Sequence, residues 1–225
     1  MDIWNVRNQA LAALDTDLRQ EKEILDEGFA LFDECIDRLY EVAIQDNENT
    51  RFAAICCQTL VKARRFALGI YSLCLDSLLL EAGALMRVLK EAWQLLIYFH
   101  QDPSRIEEAF AENLPQAGEI AKRINVELHN QLKGLTDYYN ATTSHISFSE
   151  DAIVPIGMVF SSEILKANMR TLFVVISSIL HEGAAPCLHI SDQLGAVLRD
   201  EIESYIEKGL GVFNIDEDSE EPHLH

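Results

Sequence analysis

Apolar residues recur every three to four positions along almost the whole chain, whereas the strict alternation typical of strands is nearly absent. This period predicts helices over most of the sequence. The boundaries come from polar turns, an Asp102-Pro103 helix start and a glycine after His181. They predict helical regions at about 3–44, 51–75, 78–98, 103–123, 126–143, 161–181 and 191–208.

The organisation that follows is one all-α domain over residues 1–212. We expect a single-domain helical bundle with a central hydrophobic helix and an ordered loop at about 144–161, where the helical period is lost and Pro155 and Gly157 occur. Residues 213–225 form an acidic run without apolar periodicity, which predicts a mobile tail.

The segment from Leu78 to Tyr98 is apolar around most of its circumference and carries one charged stripe. At about 100° per residue, Arg87, Lys90, Glu91 and Gln94 fall in one arc that also contains Gly83 and Tyr98. A helix this apolar belongs in the centre of a bundle. Its charged stripe is therefore expected to face a cleft or a seam, which makes it a candidate site.

The distribution of charge along the chain also singles out the segment that contains this stripe. The formal net charge is −19, yet residues 51–100 carry six basic and three acidic side chains. Residues 1–50 carry thirteen acidic and four basic side chains, and residues 201–225 carry eight and one. Non-specific nucleic-acid binding comes mainly from Lys and Arg at phosphates. Any polynucleotide binding should therefore be confined to a local cleft in the basic segment.

The five cysteines are odd in number and lack a CxxC pair, so they indicate reduced core residues rather than a disulfide framework or a zinc site. The sequence shows no signal peptide, and charged residues interrupt its most apolar runs. These features predict a cytoplasmic protein without membrane attachment. We expect no metal and no cofactor.

A second concentration of polar groups lies where the helix at 126–143 is expected to end. It combines tyrosine, amide, hydroxyl and imidazole groups in Tyr139, Asn140, Ser144, His145 and Ser147. Histidine exchanges protons near neutral pH, and arginine holds phosphate bidentately.

Two readings of these residues stay open. In the catalytic reading, His145, Arg87 and Glu91 form a small site, with Lys90 and the polar residues around His145 binding the ligand. In the structural reading, Arg87 and Glu91 form an ion pair that fixes helix docking, and His145 anchors a loop. The first reading predicts that Arg87 and His145 meet in the fold.

The pattern of Glu81-Ala82, Leu85, Arg87 and Glu91, followed by Asp102-Pro103, Tyr139 and Ser144-His145-x-Ser147, resembles a bacterial helical family. That family has an Arg-x-x-x-Glu helix and a later Ser/His motif, and it is similar to the HEPN (higher eukaryotes and prokaryotes nucleotide-binding) domains, including abortive-infection proteins. The resemblance covers roughly residues 60–147. It implies a helical homodimer that binds a nucleotide or RNA in bacterial stress or phage defence, with an antitoxin-type protein as a further partner. Many HEPN domains are metal-independent ribonucleases.

The usual HEPN motif is an arginine followed, after four to six residues, by a histidine. Before His145, the corresponding positions hold Tyr138, Tyr139 and Asn140. Either Arg87 supplies the arginine from the neighbouring helix, or the chain resembles the ligand-binding members that do not cleave RNA. The alternative function is a non-enzymatic helical dimer or interaction module in which Arg87, Glu91 and His145 are structural.

Overall fold

The computed structural model describes residues 3–45, 48–125, 160–192 and 195–215. These residues are almost all helical and include no strand, so the prediction of an all-α bundle is confirmed. The helices are α1 (Ile3–Asp15), α2 (Arg19–Ala43), α3 (Thr50–Leu75), α4 (Leu79–Gln101), α5 (Ile106–Phe110), α6 (Ala117–Ile124), α7 (Ser162–Ser178), α8 (Ala185–Asp192) and α9 (Gly195–Phe213).

The first three helices form where their apolar stripes predict them. On α2, Leu25, Phe32 and Leu39 follow one another at intervals of seven residues and are fully buried, because this spacing places them on one face of the helix. The region predicted at 3–44 is divided into two helices, since α1 ends at Asp15 and α2 starts at Arg19.

The central helix α4 packs against α3, α6, α8 and the chain segment between α7 and α8. Its residues Leu89, Leu96 and Phe99 are almost completely buried. A bend separates α3 from α4, and Ser77 takes a left-handed backbone conformation there with φ of 56°. The helix is therefore the centre of the bundle, as its composition predicts.

The prediction of a single helix over residues 103–123 is wrong. Asp102 accepts a hydrogen bond from the Ser104 N–H at 3.2 Å and begins a 3₁₀ turn at Pro103–Arg105, which leads into the short α5. The chain then leaves the helix over residues 111–116, and α6 begins at Ala117. Pro115 accounts for the gap, because proline offers no N–H and disfavours a helical residue before it.

The helix expected to end at His181 continues instead to Asp192. Ser161 begins it by accepting a hydrogen bond from the Ile164 N–H, as predicted. Residues Ile179–Ala184 form a π-helical segment, after which α8 carries on. Gly183 is therefore inside a helical run, where its missing side chain leaves room for Leu96: a Cβ there would lie 3.0 Å from Leu96 Cβ.

The last helix begins and ends later than predicted. Ser191-Asp192 lies at the end of α8, and α9 starts at Gly195 and passes through Gly209 to Phe213. Gly209 is used for close packing, since a Cβ there would lie 2.1 Å from Phe173 Cε2. The ordered loop expected at 144–161 falls mostly outside the described residues, as does the tail from residue 216 onward.

Among the residues that the structure describes, one helical run is long and apolar enough to cross a membrane by length and composition. It covers Ser162–Ser191, with a mean hydropathy of 1.5, and 61% of its apolar window is buried inside the bundle. The core helix of a soluble protein passes the same test, so this run is weak evidence for a membrane span. Its burial is compatible with a soluble protein.

All five cysteines are free and buried, in agreement with the prediction of reduced core residues. Burial raises the pKa of the Cys35 and Cys74 thiols to about 12, and burial raises the pKa of Cys187 as well. Since the thiolate is the reactive form, these cysteines are suited to packing rather than to chemistry.

Candidate functional site: the charged stripe of the central helix

The stripe on α4 divides into a buried part and an accessible part. Gln94 and Tyr98, toward the end of the helix, are almost fully buried. Arg87 is exposed, while Lys90 and Glu91 are partly exposed. The stripe therefore does not line one continuous cleft, and only its first half can meet a ligand from solution.

Arg87 and Glu91 form an ion pair along one turn of α4. Arg87 Nε donates to Glu91 Oε1 at 3.2 Å, and the two side chains are 49% and 32% exposed. An exposed pair at this spacing stabilises a helix by only about 0.3–0.5 kcal/mol. The contact nevertheless restrains the guanidinium on a rigid, central helix, and a carboxylate in this position orients an arginine for an anionic ligand.

The buried end of the stripe is occupied by a clamp around Tyr98. The Tyr98 hydroxyl donates to Glu108 Oε2 at 2.8 Å and accepts from Arg123 at 3.0 Å. The Arg105 guanidinium lies 4.3 Å from the ring centroid and donates to the Tyr98 carbonyl at 3.1 Å. Burial, together with the hydrogen bond to Glu108, raises the pKa of Tyr98. These contacts fix the chain after α4 against the helix and leave Tyr98 no role with a ligand.

His100 of α4 lies beside the π-helical segment. Burial lowers the pKa of His100, and its proximity to the backbone carbonyl of Glu182 opposes this effect.

Glu182 also lies beside Trp93. Trp93 Nε1 is buried and makes no hydrogen bond of good geometry within the described residues, although its interaction with Glu182 lowers the pKa of that carboxyl. Partial burial against α4 dominates and raises the Glu182 pKa, but the residue keeps contact with water. Sequence analysis missed this group.

The remaining predicted site residues lie outside the described part of the chain. They are Tyr139, Asn140, Ser144, His145 and Ser147. The expectation that Arg87 and His145 meet therefore stays a prediction. Of the catalytic set, Arg87 and Glu91 are brought together, and Lys90 lies on the same half of the stripe.

Comparison of the chain with protein-family models, curated proteins and solved structures gives no match. The chemistry of the site is therefore argued from its own residues. No group of three or more His, Cys, Asp or Glu side chains within the described ranges is arranged to hold a metal ion.

A separate polar cleft of about 670 Å³ lies away from α4, between the α1–α2 turn, the start of α7 and the end of α9. Glu21 is almost fully buried at its wall, and Lys166 Nζ lies 2.6 Å from Glu21 Oε1. The pair joins α2 to α7 across the cleft.

Replacing Lys166 with methionine leaves a buried carboxylate without its cation, which costs about 3–5 kcal/mol at fully buried sites. Because Lys166 is itself partly exposed, we expect a smaller loss, about 1.5 kcal/mol. Denaturant unfolding measures it. The double variant Lys166→Met with Glu21→Gln should recover most of the loss, and equal stability of the wild type and Lys166→Met would show that the pair contributes nothing.

Proposed function

We propose that this protein is a HEPN-like nucleotide- or RNA-binding protein of bacterial stress or phage defence that binds phosphate through Arg87. The observation that carries the proposal is the half-exposed Arg87 guanidinium, restrained by Glu91 on the central helix. Arginine presents a planar fork of donors that matches a phosphate. Arg87 also belongs to the net-basic segment, residues 51–100, of a chain whose net charge is −19. Binding of a phosphate is favoured there because Lys and Arg neutralise its negative charge.

In this proposal each residue has one role. Arg87 binds the phosphate, Glu91 positions Arg87, and Lys90 adds a second positive charge on the same side of α4. If the protein cleaves RNA, His145 is the general acid and base, and the RNA supplies its own 2′-OH as nucleophile. A homodimer, an antitoxin-type partner and a cytoplasmic location belong to the same proposal.

The alternative is a non-enzymatic helical module, and two observations favour it. The Arg87–Glu91 contact has the spacing of an ordinary structural ion pair. Large apolar side chains on the surface, including Trp4, Tyr40 and Ile44, would suit a protein partner.

Binding of a fluorescent oligouridylate, measured by anisotropy in the presence of a chelator, separates the two functions. We expect Arg87→Gln to weaken binding at least tenfold, since hydrogen bonds to charged groups contribute about 1.5–3 kcal/mol. The affinity of Arg87→Lys should lie between those of the wild type and Arg87→Gln, because lysine keeps the positive charge but lacks the planar fork of donors. Glu91→Gln should weaken binding less than Arg87→Gln.

The matched control is Arg170→Gln, which removes one exposed arginine on α7. It should bind like the wild type. A wild-type protein that binds neither the oligouridylate nor a mononucleotide would overturn the proposal and leave the structural role of Arg87. In that case Arg87→Gln would change only the unfolding free energy, by about 0.5 kcal/mol.

A further inference from the structure

The polar cleft beside the Glu21–Lys166 pair is large enough to hold a small molecule. Its volume is about 670 Å³, and ligand sites in proteins usually span about 300–1,000 Å³. Its walls come from the α1–α2 turn, the first turn of α2, the α7 helix and the end of α9. Apart from Gly211 and Val212, the described residues that line it carry polar or charged side chains. The cleft therefore suits a polar ligand rather than an apolar one.

The charged side chains around the cleft are balanced, although the chain as a whole is strongly acidic. Among the described residues that line it, Asp17 and Glu21 are acidic, whereas Arg19 and Lys166 are basic. The chain has 37 acidic side chains and 18 Lys or Arg, so an average part of its surface is acidic. A simple anion in the cleft would face two carboxylates, and a simple cation would face two basic groups. A ligand that carries both charges matches this lining better than either.

Lys166 is held where it can contact such a ligand. Its Nζ lies 2.6 Å from Glu21 Oε1, and the Glu21 side chain is 5% exposed, while that of Lys166 is 39% exposed. An ammonium group has three N–H donors, of which Glu21 Oε1 can accept one. Because desolvation offsets most of the attraction in a buried ion pair, such a pair is a weak source of stability. This pair does, however, fix an ammonium group at the wall of the cleft, with donors left for an anionic group.

Two helix ends of opposite polarity also lie at the cleft. The first turn of α2 begins at Arg19, and the N-cap residue Leu18 makes no side-chain hydrogen bond to the backbone N–H groups of that turn. The other helix, α9, ends at Phe213, beside the lining residues Val212 and Asn214. A helix start carries a partial positive charge, and a helix end carries a partial negative charge. The backbone therefore adds to the mixed polarity that the side chains give to the cleft.

We propose that this cleft binds a free α-amino acid with a polar side chain. The carboxylate of the amino acid contacts Lys166 and the first turn of α2, and its ammonium group contacts Asp17 and the end of α9. The neutral polar groups of the cleft are suited to hydrogen-bond the side chain of the ligand, and they belong to Thr16, Gln20 and Asn214. The cleft lies away from α4, so this proposal does not depend on the one for Arg87.

Isothermal titration calorimetry at neutral pH tests the ligand class with three probes, free L-serine, L-asparagine and L-glutamine. We expect the wild type to bind at least one of them, and to bind it about tenfold more tightly than two analogues of the same probe. One analogue is the α-amide, which lacks the charge of the carboxylate, and the other is the acid without its α-amino group. Each analogue loses a charged hydrogen-bonding group, and such a loss weakens binding about tenfold or more.

The first variant removes the cation at the wall of the cleft. Lys166→Met should weaken binding of the amino acid about tenfold, because the carboxylate of the ligand loses a charged donor. The matched control is Lys208→Met, since Lys208 Nζ lies 2.8 Å from Glu27 Oε1 in another pair between helices and is not among the residues that line the cleft. This control should bind like the wild type.

A second variant tests the cleft without breaking an ion pair. A Cβ on Gly211, which lines the cleft, would meet no atom within 4 Å. The fold can therefore accept Gly211→Leu, and the larger side chain should obstruct the ligand and weaken binding about tenfold. The matched control is Gly118→Leu on α6, where a Cβ would also meet no atom within 4 Å. Thermal unfolding of each variant checks that the fold is intact.

The outcomes decide the proposal independently of RNA binding. Weaker binding by Lys166→Met and Gly211→Leu, with both controls like the wild type, supports an amino-acid site in the cleft. No binding of the three amino acids by the wild type would overturn it, and so would equal affinities of the variants and their controls. Binding of the α-amide as tight as that of the amino acid would show a site for a cation and would also overturn the proposal.

Discussion

Gly209→Ala is expected to lower the free energy of unfolding by about 3 kcal/mol, the upper end of the cost of overpacking a core. A Cβ at this position would lie 2.1 Å from Phe173 Cε2 and 2.2 Å from Phe173 Cζ. Phe173 cannot turn aside easily, because it is almost fully buried. Its ring stacks on Phe213 with centroids 5.2 Å apart and meets the edge of Tyr205 at 5.5 Å.

The control for this change is Gly211, two residues further along the same helix. A Cβ on Gly211 would meet no atom within 4 Å. Gly211→Ala should therefore stabilise the protein by about 0.5–1 kcal/mol, since alanine loses less backbone entropy than glycine in a helix. Urea denaturation of both variants measures the difference. Equal stabilities would mean that α9 and Phe173 are not packed as described.

Gly209 also shows a structural role that its local sequence does not predict. Glycine after a periodic segment is a good signal for a helix end, and the helix predicted at 191–208 stops just before Gly209. In the structure the missing side chain of Gly209 instead lets the aromatic ring of Phe173 pack closely against α9. The sequence near Gly209 does not predict this contact, because Phe173 is distant along the chain.

Pro186 and Gly183 illustrate a similar ambiguity. Both are typical of helix ends, and Gly183 predicts the break after His181. In the structure the helical run passes through a π-helical segment that packs against α4, with Gly183 against Leu96. The packing partner comes from another helix, so the local pattern could not predict this continuation.

The central helix was predictable because its signal is local. The apolar circumference of residues 78–98 predicted both burial and central position, and α4 has both. The division of its stripe was not predictable. Tyr98 and Gln94 share an arc with Arg87, but burial of Tyr98 depends on Arg105, Glu108 and Arg123, which follow α4 in the chain.

His145→Ala is expected to lower metal-independent RNA cleavage by a factor of about 10²–10⁴, the usual contribution of a general acid or base. The reaction requires removal of the proton from the RNA 2′-OH as it attacks the adjacent phosphorus, and delivery of a proton to the departing 5′-oxygen. Imidazole can do both near neutral pH. Because His145 lies outside the described residues, this expectation rests on the sequence.

The measurement follows an end-labelled RNA in the presence of a chelator and identifies a 2′,3′-cyclic phosphate on the product. His189→Ala is the matched control, since His189 is an exposed histidine on α8 and should cleave like the wild type. Arg87→Gln should also reduce cleavage, because it removes positive charge at the phosphate, where negative charge develops in the transition state. Equal cleavage by the wild type and His145→Ala, or none by the wild type, would exclude His145 catalysis. RNA binding that still depends on Arg87 would then identify a ligand-binding protein without nuclease activity.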